Sequence, residues 1–285
     1  MIWITGFQGL VGSALSEICG KKKISFVGSG REVDITKPAQ IKEFTYQRPV
    51  THVINCAGFT HVDDAEKHPD AAHALNVSGP QNLAELCCEK KIHFLHLSTD
   101  YVFDGSNSIP YSEEDPCHPI NTYGRTKLEG ELAVRKALPS ACILRTSWVF
   151  GKRGKNFIST IIHKLRQEKQ IKVVSDQIGK PTYVYDVAGA ILEMLPHSGI
   201  FHFADERAVS RFESAQIIFR MAQELRIPLA CEEILPVGSS LFPTPAARPH
   251  YSALATRKYV KTTGKTPPSW EIGVKELLCD LKESS

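Results

Sequence analysis

The tightest constraint on this chain sits in its first dozen residues. An apolar run at 1–5 (MIWIT) leads directly into Gly6-Phe7-Gln8-Gly9-Leu10-Val11-Gly12, and a helical pattern follows through about residue 19. Glycines let a turn tighten and let backbone approach a pyrophosphate, which then lies at the positive end of the next helix. The spacing is G-x-x-G-x-x-G, not the commoner G-x-G-x-x-G, so in isolation it is equally compatible with a plain tight turn. Between a strand and a helix, Gly6, Gly9 and Gly12 point to a bound dinucleotide.

The rest of the first half keeps the same rhythm. Apolar runs at 23–27, 50–55, 92–98 and 141–146 predict strands, and amphipathic patterns at 71–90 and 122–136 predict helices. Such βαβ alternation predicts an α/β fold: a Rossmann-like, doubly wound parallel sheet with helices on both faces. The second half is less regular, with helices expected at 157–168, 183–195, 212–225 and 270–281 and a strand at 199–203. The proline-rich run 242–249 has neither period and reads as a loop or the wall of a site. The 285 residues exceed one typical domain. The division expected is a dinucleotide-binding domain at 1–146 and 182–205, interwoven with a smaller α/β lobe at 147–181 and 206–285.

Composition narrows the partners. Apolar residues make up 42% and charged residues 23%, enough for a sizeable core, and the net charge is only +3. Nucleic acid or a membrane surface would call for a concentrated basic face, so neither is expected. The eight cysteines show no C-x-x-C spacing and read as reduced thiols. The eleven histidines show no metal-ligand spacing. No apolar run reaches the ~20 residues of a membrane span, and a strand starting at Ile2 leaves no room for a signal peptide. A soluble, cytoplasmic protein is expected.

Several patterns carry chemistry. After the second strand, Gly28-Ser29-Gly30-Arg31 offers an arginine where an acid would bind a ribose 2′-hydroxyl, which favours NADPH over NADH. A solvated surface arginine is the plain alternative. Asp34 suits an adenine amine, and the small residues of Asn55-Cys56-Ala57-Gly58 let a cofactor lie against backbone. The strongest pattern is Ser98-Thr99-Asp100, at a strand end, followed by Tyr123-x-x-x-Lys127. Four residues apart, tyrosine and lysine share one helix face. A free tyrosine, with a pKa near ~10, is a poor acid at neutral pH, and a nearby ammonium pulls that value down. Lys127 is also placed to hold the nicotinamide ribose, and Thr99 to donate to a ketone oxygen. Alone, such a pair is common on exposed helices; after a glycine loop it reads as a proton donor beside a nicotinamide.

These motifs resemble the extended short-chain dehydrogenase/reductases and, among them, the dTDP-4-dehydrorhamnose reductases. The resemblance spans residues 1–281 and rests on GFQGLVG (6–12), STDYVFDG (98–105), YGRTK (123–127), RTSWVF (145–150), DQIGKPT (176–182) and PTPAARPHYSAL (243–254). It implies NADPH-dependent reduction of the C4 ketone of dTDP-4-dehydro-β-L-rhamnose to dTDP-β-L-rhamnose, with the smaller lobe binding the sugar nucleotide. It further implies that Gly9, Leu10 and Val11 cradle the pyrophosphate, Asp34 and Ile35 lie near adenine, and Gly58, Phe59 and Thr60 line the cofactor path. Thr99 and Asp100 would meet the sugar, Tyr123 would be the proton donor and Lys127 would complete the pair. Trp148 would pack on the deoxysugar, although a strand-end core cap is the plain reading. Arg248 suits a diphosphate or a structural ion pair. Asn76, mid-helix, suits a bound water or a backbone brace.

Some positions depart from the pattern. Phe59 stands where relatives often carry histidine, and Ala247 where a second basic residue often precedes the arginine. Ala14 lies near an acid that some relatives use for Mg²⁺ between subunits, which counts against that metal here. A homodimer is compatible with the resemblance. Two other functions fit the same motifs: a 4-keto reductase making a different 6-deoxyhexose nucleotide, and a non-catalytic regulatory subunit of the methionine adenosyltransferase type.

Overall fold

In the computed structural model, residues 1–154 and 156–283 are described. Strand β1 (Ile2–Thr5) feeds helix α1 (Leu10–Lys21), and β2 (Phe26–Ser29), β3 (His52–Asn55), β4 (His93–Thr99) and β5 (Cys142–Thr146) follow. With Gly199–His202 at one edge they form a six-stranded, wholly parallel sheet, ordered 199–202, β5, β4, β3, β1, β2. The chain leaves β1 toward β2, then crosses back to β3. The helices reached after β1 and β3 therefore lie on opposite faces of the sheet, the switch point at which doubly wound sheets bind ligands.

Burial follows from this topology. β1 and β5 are buried at every position, as expected of parallel strands covered on both faces. Alternate side chains serve different cores: Ile2 and Ile4 join Leu15, Leu144 and Ile191, whereas Trp3 joins Val53, Leu83 and Phe94 on the opposite face. Helices α1 and Val184–Met194 cover the first face, and Pro38–Tyr46, Gly79–Lys90 and Thr122–Ala137 the second.

Three local expectations are revised. The second strand is Phe26–Ser29, not 23–27, because α1 runs on to Lys21 and Lys23 turns the chain in the left-handed region. The helix expected at 71–90 is three pieces, Pro69–His73, a π-helical turn Ala74–Ser78, and Gly79–Lys90. Pro80 has no N–H to continue the regular ladder, which suits a wider turn just before it. The weakly patterned helices Pro38–Tyr46 and Val62–Lys67 were not anticipated, nor was a separate parallel pair, Gln170–Val174 with Glu233–Val237. The run 242–249 has no regular structure, as expected. Among the described residues, no helix is long and apolar enough to cross a membrane.

The π-helical turn lies hard against Thr122–Ala137. A Cβ on Gly130 would meet the Asn76 carbonyl oxygen at 2.0 Å. Gly130→Ala should therefore lower stability by about 1–3 kcal/mol, the usual range for overpacking. A chemical-denaturation midpoint measures this, and an unchanged midpoint would refute so close an approach.

Candidate active site at the strand ends

The glycine loop is shaped by two close approaches. Gly6 has φ +62°, and a Cβ there would lie 2.6 Å from the Ala57 nitrogen; one on Gly12 would lie 2.4 Å from the Gly6 oxygen. The turns after β1 and β3 are thus pressed together. Gly9 caps α1 without a side-chain hydrogen bond, and no acid occupies the first turn, where Leu10 and Val11 lie. An uncapped helix start free of carboxylates fits a diphosphate. At the end of β5, the buried Thr146 hydroxyl has no hydrogen-bond partner among the described residues, a polar atom left for a ligand.

The remaining sequence candidates for the cofactor lie along the same edge. Arg31 is exposed just beyond β2, and the neighbouring Gly30 N–H donates to Glu32 at 2.6 Å. Asp34 accepts from the backbone N–H and hydroxyl of Thr36, while Asn82 holds the Ile35 carbonyl. Gly58, Phe59 and Thr60 run past Asn76, whose amide accepts from Phe59 N–H at 2.8 Å and donates to Phe59 O at 3.1 Å and to the Thr126 hydroxyl at 3.0 Å. Asn76 is thereby a backbone brace.

Tyr123 and Lys127 lie on the first turns of Thr122–Ala137, whose start is capped by Asn121 accepting from Gly124 N–H at 2.8 Å. A Cβ on Gly124 would meet the Tyr101 carbonyl at 2.0 Å, so the helix start sits directly against the end of β4. Burial pushes the Tyr123 phenol above its ordinary range, with the neighbouring Thr99 hydroxyl acting in the opposite direction. Burial likewise draws Lys127 down to about 8. Lys127 Nζ donates to the Leu97 carbonyl at 2.5 Å and lies 3.4 Å from His96 Nε2. In the protein's own field, desolvation governs both groups and favours their neutral forms. The phenol is not drawn down by the lysine, as the spacing alone suggested.

Asp100 is buried beside them. Its carboxylate accepts from Ser252 at 2.5 Å and from the Thr99 hydroxyl at 3.1 Å. Burial outweighs these bonds and raises it to about 6. Trp148 adopts φ +45°, a strained conformation for a bulky residue and one that often marks functional sites. A Cβ on Gly179 would touch its ring at 2.4 Å, and the Arg211 guanidinium lies 3.4 Å from its centroid. Arg248 forms a two-pronged pair with Asp63 at 2.8 and 2.9 Å, the ion pair that was one of its two sequence readings.

Sequence reasoning missed two residues here. Ser252 lies within a family-like run but carries no catalytic pattern of its own. Arg211 opens the helix Arg211–Glu224. Among the described residues its guanidinium has no carboxylate within ion-pair distance, and burial lowers it to about 10. Nothing in the local sequence distinguishes it from a solvated arginine.

Fold and site together define a class: doubly wound α/β proteins with a glycine loop after the first strand and a Tyr-x-x-x-Lys helix against the fourth. The chain belongs to the RmlD substrate binding domain family, whose model matches residues 1–283. It is 38% identical to a dTDP-4-dehydrorhamnose reductase of Mycolicibacterium smegmatis over 93% of this chain and 81% of that protein. It is 35% identical to a probable dTDP-4,6-dihydroxy-2-methyloxan-3-one 4-ketoreductase of Streptomyces antibioticus, over 99% of this chain and 96% of that one. A crystal structure of dTDP-4-dehydrorhamnose reductase from Bacillus anthracis in complex with NADP superposes with a TM-score of 0.90 at 33% identity, covering 98% of each chain.

The Ser252 bond favours ionised Asp100, so removing it should raise the carboxyl further. In Ser252→Ala, a carbon-13 NMR titration of Asp100 should show a midpoint above that of the unaltered protein. A lower or equal midpoint would show that the hydroxyl does not support the carboxylate.

Proposed function

We propose that the protein is a reductase that uses NADPH to reduce the C4 ketone of dTDP-4-dehydro-β-L-rhamnose, yielding dTDP-β-L-rhamnose. The observation carrying this reading is the convergence of Thr99, Tyr123 and Lys127 at the strand ends beside the glycine loop. The naming of the Mycolicibacterium relative and the NADP complex of the Bacillus relative support it.

In this reading Gly6, Gly9, Leu10, Val11 and Gly12 hold the cofactor diphosphate. Asp34 and Ile35 lie by adenine, and Gly58, Phe59 and Thr60 line the path between. Arg31, exposed past β2, meets the 2′-phosphate that distinguishes NADPH. The cofactor supplies the hydride. Tyr123 supplies the proton: burial keeps the phenol protonated through neutral pH but also weakens it as an acid, so its proton leaves with the help of the positive charge of Lys127. The Thr99 hydroxyl orients the ketone oxygen, and Lys127 holds the nicotinamide ribose and stabilises the phenolate left after proton transfer. The sugar rests by Asp100 and Trp148 in the lobe 147–181 and 206–285, against the cofactor domain 1–146 and 182–205. Arg248 reaches the diphosphate only by sharing itself with Asp63, whereas Arg211 carries no such pair. The reaction is a cytoplasmic one.

Loss of NADPH absorbance on adding the dTDP-4-keto sugar tests the activity directly; no oxidation at saturating substrate would refute it and favour a binding protein. Tyr123→Phe should lower turnover by ~10²–10⁴-fold, the usual contribution of a positioned acid, and leave NADPH affinity nearly unchanged. Retained turnover would mean another group is the donor. The Streptomyces relative favours one second reading, a 4-ketoreductase producing a different 6-deoxyhexose. Proton couplings in the product's NMR spectrum separate the two.

A further inference from the structure

We propose that His96 is a positioning residue for Lys127, held by Asn55 as the neutral imidazole with its hydrogen on Nε2, so that the ring presents an N–H to the lysine. The proposal rests on the reading of Tyr123 and Lys127 as the reacting pair.

A backbone N–H can only donate, and Ala57 N–H lies 3.1 Å from Asn55 Oδ1. The Thr5 hydroxyl donates to the same oxygen at 2.6 Å. The amide of Asn55 is therefore oriented, and its Nδ2 faces His96 Nδ1 at 2.9 Å. An amide NH₂ has no lone pair to offer, so Nδ1 accepts. A ring accepting at Nδ1 is not imidazolium, and its hydrogen must be on Nε2. Nε2 lies 3.4 Å from Lys127 Nζ. Full burial acts in the same direction, holding His96 neutral well below the ordinary histidine range.

The consequence falls on Lys127. An N–H aimed at its nitrogen opposes the ammonium and turns the lysine's own hydrogens away from the ring, one of them to Leu97 O. The other titratable groups around Nζ do not reverse this. Cys56, beyond β3, is pushed up to about 12 by burial and stays a thiol. Glu131, on the same helix, is engaged by Arg145 at 2.7 and 2.9 Å and by Ser98 at 2.5 Å. Tyr123, one turn earlier, stays a neutral phenol. The Thr5–Asn55–His96 relay thus links the ends of β1, β3 and β4 to the lysine and sets how readily it carries a proton.

Nitrogen-15 NMR of histidine-labelled protein, with His96 assigned by the loss of its signals in His96→Gln, reads the tautomer without turnover. The expected result at neutral pH is Nε2–H with an unprotonated Nδ1; imidazolium or Nδ1–H would overturn the proposal. Asn55→Asp supplies an acceptor opposite Nδ1 and should invert the ring to Nδ1–H, placing a lone pair against Lys127. The NMR titration midpoint of Lys127 should then rise by about one pH unit or more, and the alkaline limb of the reductase profile with it. An inverted ring with an unmoved lysine midpoint would also overturn it. Because tautomer and midpoint are read on the resting protein, an inactive preparation counts against the reductase reading and not against the relay.

Discussion

All six strands of the sheet run the same way, so all six end at one edge, and polar side chains gather there in the interior. Thr5, Asn55, His96, Ser98, Thr99 and Thr146 are all buried. A buried polar group without a partner costs about 1–3 kcal/mol, so such an edge is tolerable only when its groups bond one another or a ligand. Most of them do. Thr5, Asn55 and His96 form one chain of contacts; Ser98, Glu131, Arg145 and His202 form a second. The second matters for position as well as satisfaction. Glu131 belongs to the Tyr123–Lys127 helix and Arg145 to β5, and both are almost wholly buried. This ion pair pins the helix to the sheet, because losing either partner would strand a charge in the core.

Burial also governs the chemistry of the edge. Tyr123 is raised, Lys127 lowered, Asp100 raised and Arg211 lowered, each with desolvation as the largest cause. The common direction is toward the neutral form. A site poised in this way responds strongly to any charge brought into it, since the low dielectric that penalises an isolated charge also strengthens its attraction to a partner. The arrangement suits proton transfer from a tyrosine.

Much of this was legible beforehand. The glycine loop, the alternation of apolar runs and the Tyr-x-x-x-Lys spacing are local patterns, each expressed within one turn of backbone or one helix face. They indicated the sheet, its parallel sense and the helix carrying the candidate pair. The helices Pro38–Tyr46 and Val62–Lys67 were not visible, because short, weakly apolar segments gain their helicity from the surface they cover. The π-helical turn at Ala74–Ser78 escaped for a related reason: its amphipathic stripe continues across it, and only the backbone records the wider turn.

The site divides along the same line. The residue types and their order specified which groups meet: a glycine loop, a threonine at a strand end, and a tyrosine and lysine on one helix face. Tertiary structure decided what those groups are like. Whether the phenol is raised or lowered depends on how deeply it is buried. The tautomer of His96 depends on which way Asn55 faces, and that is settled by the Thr5 hydroxyl from the end of β1 together with the N–H of Ala57, two residues on. Arg211 became a candidate through a tryptophan 63 positions away in sequence, counted from Trp148 to Arg211. Spacing along a chain conveys which side chains share a strand or a helix face, but proton affinity is set by dielectric and by hydrogen bonds between distant segments, and these exist only once the chain has folded.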